Sequence, residues 1–75
     1  MNIEEATKVN ISGRNKLQGR IKDVKTGAVM AQITLDVNGQ EVVSAITNDS
    51  VTNLGLKAGD NVSALIKATD VMIMK

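Results

Sequence analysis

The chain has 75 residues, enough for one small domain, and it contains no Cys, His, Phe, Tyr or Trp. Disulfides are therefore excluded, a zinc site is not expected, and catalysis by a His base or a Cys thiolate is ruled out. Nine basic and eight acidic residues give a formal net charge of +1, which does not indicate a strongly basic surface for a nucleic acid or a membrane.

The small size and the missing residue types together predict an oligomer. A domain this short buries only about 60% of the surface that its unfolded chain exposes, so a single copy is marginally stable. Its core has to consist of Val, Ile, Leu, Met and Ala, without large aromatic anchors. Because disulfides and a structural metal are not expected, association of several copies is the remaining way to reinforce the fold.

The chain shows no targeting or membrane-spanning signal. No apolar run reaches the length of a transmembrane helix, and residues 1–5 are too polar and acidic for a signal peptide. We therefore expect a cytoplasmic protein that does not interact with a membrane.

The first half of the chain predicts a three-stranded meander. Residues 1–8 show no clear period, and 1–10 are expected to form a lead-in or arm before a domain at 11–75. A β-rich run at 17–25 precedes a second at 28–37, in which apolar and polar residues alternate as in a half-buried strand. Asn38-Gly39 then predicts a tight hairpin turn into a third run at 40–47, because both residues tolerate positive φ angles.

The second half predicts one short helix and two further strands. Asn48, Asp49 and Ser50 are candidate N-caps, and Gly55 can close a helix of one or two turns in the left-handed conformation. Runs at 61–67 and 71–74 are expected to be strands. The fold class is therefore all-β, a small five-stranded OB-like barrel with one short helix between strands three and four.

Five polar side chains near the ends of these elements are of the types that bind a small oxyanion. A tetrahedral dianion in a dry pocket needs short hydroxyl and backbone donors and nearby positive charge. Thr47 and Ser50 flank the predicted helix start, where unpaired N–H groups attract anions. The full set of candidates is Ser12, Arg14, Thr47, Ser50 and Lys67.

Each of these residues also has a structural interpretation. Ser50 makes a good N-cap without any ligand, Lys67 ends a strand as lysines often do, and Arg14 fits an ion pair between subunits. Taken singly, Ser50 and Lys67 favour the structural interpretation, and only the combination favours a binding site.

Three other function classes fit the sequence less well. An enzyme is disfavoured, because the carboxylates are scattered over predicted turns and strand surfaces without a close pair. An OB-like fold suggests single-stranded nucleic-acid binding, but such sites stack bases on aromatic side chains, which this chain lacks. A purely structural assembly domain would oligomerise and bind neither ligand.

Three segments resemble the Mop domains, the molbindins. Residues 12–19 read Ser-Gly-Arg-Asn-Lys-Leu-Gln-Gly and are similar to the Ser-Ala-Arg-Asn-x-Leu-x-Gly opening of these domains, with Gly13 in place of the usual Ala. Residues 47–59 resemble their Thr-x-x-Ser-x-x-x-Leu-Gly-Leu-x-x-Gly middle, and 64–68, Ala-Leu-Ile-Lys-Ala, their closing strand. The resemblance runs from Ile11 to the C-terminus in the same order and spacing. The segment before Ile11 is longer and more acidic than the start of a typical Mop domain.

The resemblance implies a fold, a ligand and an assembly. Mop domains are OB-like barrels that exchange strands between subunits and bind molybdate or tungstate at subunit interfaces; single-Mop proteins are hexamers described as trimers of dimers. By motif position the ligands would be Ser12 and Arg14, then Thr47 and Ser50, and finally Lys67 with neighbouring backbone N–H groups. No cofactor and no protein-held metal are implied, because molybdenum or tungsten arrives with its own oxygens. The implied function is reversible storage of the oxyanion.

Overall fold

The computed structural model describes residues 15–75, and its element order follows the sequence prediction as far as the fourth strand. The elements are β1 (Asn15–Thr26), β2 (Met30–Val37), β3 (Gln40–Thr47), the helix α1 (Asn48–Leu54), β4 (Asn61–Ile66) and a 3₁₀ turn (Ala68–Asp70). The predicted lead-in 1–10 lies outside the described residues. None of the helices within 15–75 is long and apolar enough to cross a lipid bilayer.

The four strands form one antiparallel sheet in the order β3-β2-β1-β4. The long first strand lies between two neighbours, because its second half pairs with β2 and its first half pairs with β4. The β1–β2 register shifts between Ile21 and Asp23, which is the mark of a β-bulge and bends the strand where it passes from one neighbour to the other. The two edge strands are therefore β3 and β4.

The β2–β3 hairpin is the turn that the sequence predicts. Asn38 and Gly39 have φ values of 53° and 87°, so both residues are in the left-handed region that a type I′ turn requires. The Asp36 carboxylate also accepts a hydrogen bond from the Gly39 N–H at 2.9 Å. β3 then runs from Gln40 to Thr47, as expected.

The apolar residues of the sheet face one side and form a small core. Ile21, Ile33 and Leu35 are at most 3% exposed, and Ala31 is equally buried. Half-buried side chains from both edge strands and from α1 pack against this cluster, among them Val42, Ile46, Val51, Val62 and Ala64. On the same face, an apolar groove of about 500 Å³ remains open between the edge strands. Ile33 and Leu35 form part of its floor, and Val42, Ile46 and Val62 of the edge strands line it; we call it the groove.

The predicted five-stranded barrel is confirmed only in part, because residues 71–75 have no regular structure and the sheet within 15–75 has four strands. Met72, Ile73 and Met74 are 93%, 90% and 96% exposed. This run, 71–74, has the apolar β-forming sequence of a strand, but a strand needs a hydrogen-bonding neighbour, and after the 3₁₀ turn the run continues as an exposed tail without strand pairing. The sheet therefore does not close.

Gly19 allows β1 and β2 to approach closely. A Cβ at this position would lie 2.7 Å from the Asp36 carbonyl oxygen and 2.9 Å from Val37 Cγ2. We expect Gly19→Ala to lower the free energy of unfolding by about 1–3 kcal/mol, because backbone has to move to admit the methyl group. Urea denaturation measures this change, with the exposed neighbour Gln18→Ala as the control. Equal midpoints for the two variants would contradict the steric argument.

Candidate functional site

Thr47 ends β3 and caps α1. It has φ −71° and ψ 152°, and its Oγ1 accepts a hydrogen bond from the Ser50 N–H at 3.1 Å. The sequence favoured Asn48, Asp49 or Ser50 as the cap. In the structure the cap is Thr47, one residue before Asn48. An N-cap keeps an extended backbone while its side chain turns to the third helical N–H, and the last residue of a strand already has that backbone. Gly55 closes the helix with φ 63°, as predicted.

Thr47 and Ser50 form a pair of adjacent hydroxyls. Thr47 Oγ1 donates to Ser50 Oγ at 2.9 Å, in addition to accepting from the Ser50 N–H. Since Ser50 Oγ accepts in this contact, its own hydrogen is left to donate elsewhere. A rotation of the Thr47 hydroxyl would turn a second hydrogen outward. The two candidate ligands are thus brought together and can present two short donors to one anion.

Asn48, between these two residues in the chain, does not cap the helix. Its backbone N–H donates to the Val29 carbonyl at 2.7 Å, and its side-chain amide Nδ2 donates to the Gly27 carbonyl at 2.8 Å. The sequence offered only the cap interpretation for Asn48, because its partners lie in the β1–β2 connection, about twenty residues earlier. The role of Asn48 is therefore visible only in the tertiary structure.

Lys67 directly follows β4 and is exposed. Its backbone is extended, with φ −63° and ψ 138°, and its carbonyl accepts from the Asp70 N–H at 2.9 Å in the 3₁₀ turn. Within residues 15–75 the recorded ion pair is Lys22–Glu41, so the Lys67 ammonium has no carboxylate partner there. Among residues 15–75, therefore, Lys67 is a positive charge without an ion-pair partner.

The register places Thr47 and Lys67 by opposite ends of β1. Thr47 pairs with Met30, next to the end of β1 at Thr26, whereas Ile66, the residue before Lys67, pairs with Asn15. A twelve-residue strand rises about 3.3 Å per residue, so these ends are on the order of 30 Å apart along β1. One chain therefore presents the hydroxyl pair and the lysine in different places along its sheet.

Ser12 and Arg14 lie outside the described residues. Arg14 is bonded to Asn15, the first residue of β1. The structure describes the positions of the other three candidates only.

The recorded ion pair belongs to the outer surface of the sheet. Lys22 Nζ lies 2.7 Å from Glu41 Oε1, with both side chains more than half exposed. The hydrogen bond and the opposite charge raise the pKa of Lys22 and lower the pKa of Glu41. Neither residue is near the ends of the sheet where the candidate ligands lie, and exposed pairs of this kind contribute little to stability.

The fold is a small antiparallel β-sheet domain with one inserted helix, and the hydroxyl pair lies at the start of that helix. The model of the TOBE domain matches residues 11–73. Molybdenum-pterin-binding protein 3 of Clostridium pasteurianum is 45% identical over 67 residues, which are 88% of this chain and 98% of that protein. The chain therefore belongs to the TOBE domain family, among the molybdenum-pterin-binding (Mop) proteins, and the resemblance described from the sequence is confirmed.

Two solved structures show the same fold. A molybdate-binding protein from Sporomusa ovata is 51% identical, with a TM-score of 0.86 over 89% of this chain and 100% of that chain. The cytoplasmic molybdate-binding protein ModG, with molybdate bound, is 44% identical, with a TM-score of 0.77 over 84% of this chain and 45% of that one. At 51% and 44% identity, both proteins resemble this chain in sequence as well as in fold.

Proposed function

We propose that this protein binds molybdate or tungstate reversibly, as the intact tetrahedral oxyanion, at sites formed between copies of the chain. The observation that carries the proposal is the pair of hydroxyls at Thr47 and Ser50, 2.9 Å apart, in a chain whose relatives are named for binding molybdenum-pterin or molybdate. The domain is 11–75, with 1–10 as a lead-in, and the protein acts in the cytoplasm as a store, not as an enzyme.

The positions of the candidate ligands support sites that two copies share. Thr47 and Ser50 lie by one end of β1, and Lys67 lies by the other. Arg14 immediately precedes Asn15 in the sequence. It is therefore attached to the end of β1 near which Lys67 lies. A second copy that brings its Lys67 end to the hydroxyl pair of the first would supply donors and positive charge to the same anion. In this arrangement Ser12, Arg14 and Lys67 come from one subunit, and Thr47 and Ser50 from another.

The apolar surfaces support the assembly that such sites need. The groove is open between β3 and β4, and the tail 71–74 ends in three side chains that are at least 90% exposed. Surfaces of this kind are costly in water, and burying each large side chain stabilises by about 1.5–3 kcal/mol. We propose that copies exchange this tail, each completing the sheet of a neighbour, and that six copies assemble as a trimer of dimers.

The absence of aromatic residues favours the bare oxyanion over a molybdenum-pterin. Flat heteroaromatic rings are held by stacking on Phe, Tyr or Trp, and the chain contains none of these. Hydroxyls and cations suit a small dianion, because each contact becomes a charge-assisted hydrogen bond. The same absence removes the stacking platform that single-stranded nucleic acid would need, and the relatives lend that alternative no support.

Calorimetric titration with sodium molybdate and sodium tungstate tests the function. We expect saturable binding of both anions that a large excess of sulfate does not displace. Sulfate is smaller, so its hydrogen bonds to the same binding site would be longer. Titration with a single-stranded oligonucleotide should give no heat. The proposal would be wrong if neither molybdate nor tungstate bound, or if an equimolar amount of sulfate displaced them.

Mixed assemblies test whether the site is shared. Ser50→Ala and Lys67→Ala should each bind poorly alone, because each removes one ligand from one half of every site. After co-expression, interfaces between a Ser50→Ala copy and a Lys67→Ala copy include sites with both halves intact, so tight binding should return in part. Native mass spectrometry confirms the mixing. Mixed oligomers that bind no better than the single variants would contradict sharing between subunits.

A further inference from the structure

Asn48, which lies between Thr47 and Ser50 in the chain, is hydrogen-bonded to the distant β1–β2 connection and does not cap its own helix. Its backbone N–H and its side-chain Nδ2 both donate into the β1–β2 connection, to the Val29 carbonyl at 2.7 Å and the Gly27 carbonyl at 2.8 Å. The connection is itself closed by a hydrogen bond from the Gly27 N–H to the Met30 carbonyl at 2.8 Å. Asn48 therefore fastens the first residue of α1 to a closed turn at two points.

The side chain of Asn48 does this at a cost. Its Oδ1 atom is buried and has no hydrogen-bond partner among residues 15–75. Leaving a buried acceptor unpaired costs about 1–3 kcal/mol, which offsets much of what the Nδ2 bond contributes to stability. Helix capping does not account for the residue either, since Thr47 is the cap. What the side-chain amide contributes here is the bond from Nδ2 to the Gly27 carbonyl.

The residues that this geometry governs are the two hydroxyls. Thr47 immediately precedes Asn48, and Ser50 follows two residues later in the same helical turn. The bond from the backbone N–H fixes one point of the first turn, and the bond from the side chain adds a second fixed point beside the two hydroxyls. Both hydroxyls then point in a direction fixed by the β1–β2 turn as well as by β3.

We infer that Asn48 is a positioning residue, which holds the hydroxyls of Thr47 and Ser50 at the spacing and angle that a molybdate-sized anion requires; the inference rests on the proposed function. It acts through these two residues and does not itself contact the anion. Its Nδ2 donates to the Gly27 carbonyl, and its Oδ1 is a buried acceptor, to which a fully ionised molybdate has no hydrogen to offer.

The test compares Asn48→Ala with Asn53→Ala, a change of the same kind at an exposed position of the same helix. We expect Asn48→Ala to weaken molybdate binding about tenfold or more, as loss of a supporting contact behind a ligand commonly does. Its preference for molybdate over sulfate should fall as well, because a looser pair of hydroxyls discriminates less by size. Asn53→Ala should keep both the affinity and the preference.

Amide hydrogen exchange without any anion gives a readout that does not depend on binding. In Asn48→Ala the Ser50 N–H should exchange faster, since its bond to Thr47 Oγ1 is no longer held in place. Asn48→Ser, which keeps a small polar side chain and the backbone bond to Val29, is the second variant if the alanine protein does not assemble. It should show the same changes in selectivity and exchange.

The outcomes separate this inference from the proposed function. If Ser50→Ala loses binding while both Asn48 variants keep wild-type affinity and selectivity, Asn48 is only structural and the inference is wrong. A lower melting temperature with unchanged selectivity contradicts the inference in the same way. If Ser50→Ala itself binds molybdate as the wild type does, it is the proposed site that fails.

Discussion

Replacing Lys67 by alanine should reduce molybdate binding about 10- to 100-fold while leaving the apo protein folded and assembled. A charge-assisted hydrogen bond contributes about 1.5–3 kcal/mol, and an ammonium beside a dianion is attracted more strongly still where water is excluded. Lys67 is exposed within residues 15–75 and pairs there with no carboxylate, so the apo fold loses little with it. Calorimetry measures the affinity, and circular dichroism and light scattering check the fold and the assembly.

Two further variants sharpen this result. Lys57→Ala removes the same charge from another exposed position, where the recorded hydrogen bonds are made by the backbone: the Lys57 N–H donates to Asp60 Oδ2 at 3.1 Å, and the Lys57 carbonyl accepts from the Asp60 N–H at 3.2 Å. It should bind as the wild type does, which separates a local contact from a change in net charge. Arg14→Ala should weaken binding as Lys67→Ala does, because both supply positive charge to the proposed site. Wild-type affinity in Lys67→Ala would remove the lysine from the site.

Ile73→Asp should break the assembly into smaller species and abolish tight anion binding, although it removes no candidate ligand. Ile73 is 90% exposed in the unpaired tail, between Met72 and Met74, which are exposed at least as much. If the tail occupies the groove of a neighbour, the substitution forces a carboxylate into an apolar interface lined by Val42, Ile46 and Val62. Such a charge is strongly disfavoured, so the copies should separate and the shared sites should disappear with them.

Lys75→Asp is the matched control, because it places the same new side chain in the same tail but outside the apolar run 71–74. Its oligomeric mass and its affinity should remain those of the wild type. Native mass spectrometry and titration should be run on the same samples, so that loss of assembly and loss of binding are correlated directly. An Ile73→Asp protein with unchanged mass and affinity would show that the tail does not hold the copies together.

Local chemistry accounts for the elements that the sequence predicted well. The turn at Asn38-Gly39, the bounds of β3 and the left-handed Gly55 at the end of α1 all agree with the structure. In each case the signal lies within a few neighbouring residues: a pair that tolerates positive φ, an alternating run, or a glycine after a short polar helix. The family, too, could be identified from residue types at fixed spacing.

Interactions between distant segments account for the rest. The sequence could not show that Thr47 is the cap and that Asn48 bonds instead to Gly27 and Val29, because these partners of Asn48 lie about twenty residues earlier in the chain. Nor could it show that the run 71–74 is unpaired in one chain, since strand propensity does not provide a hydrogen-bonding neighbour. These differences are the ones that bear on assembly and on the site.

Composition and short-range pattern were thus enough to define the class of chain, the hairpin, the helix and the residue types suited to an oxyanion. The locations of the candidate ligands, in contrast, follow from tertiary structure alone. The antiparallel register puts the hydroxyl pair of Thr47 and Ser50 by the Thr26 end of β1 and Lys67 by the Asn15 end. Strand register is a property of paired segments far apart in the chain, and the separation that it sets is what supports the proposal of a site shared between two copies.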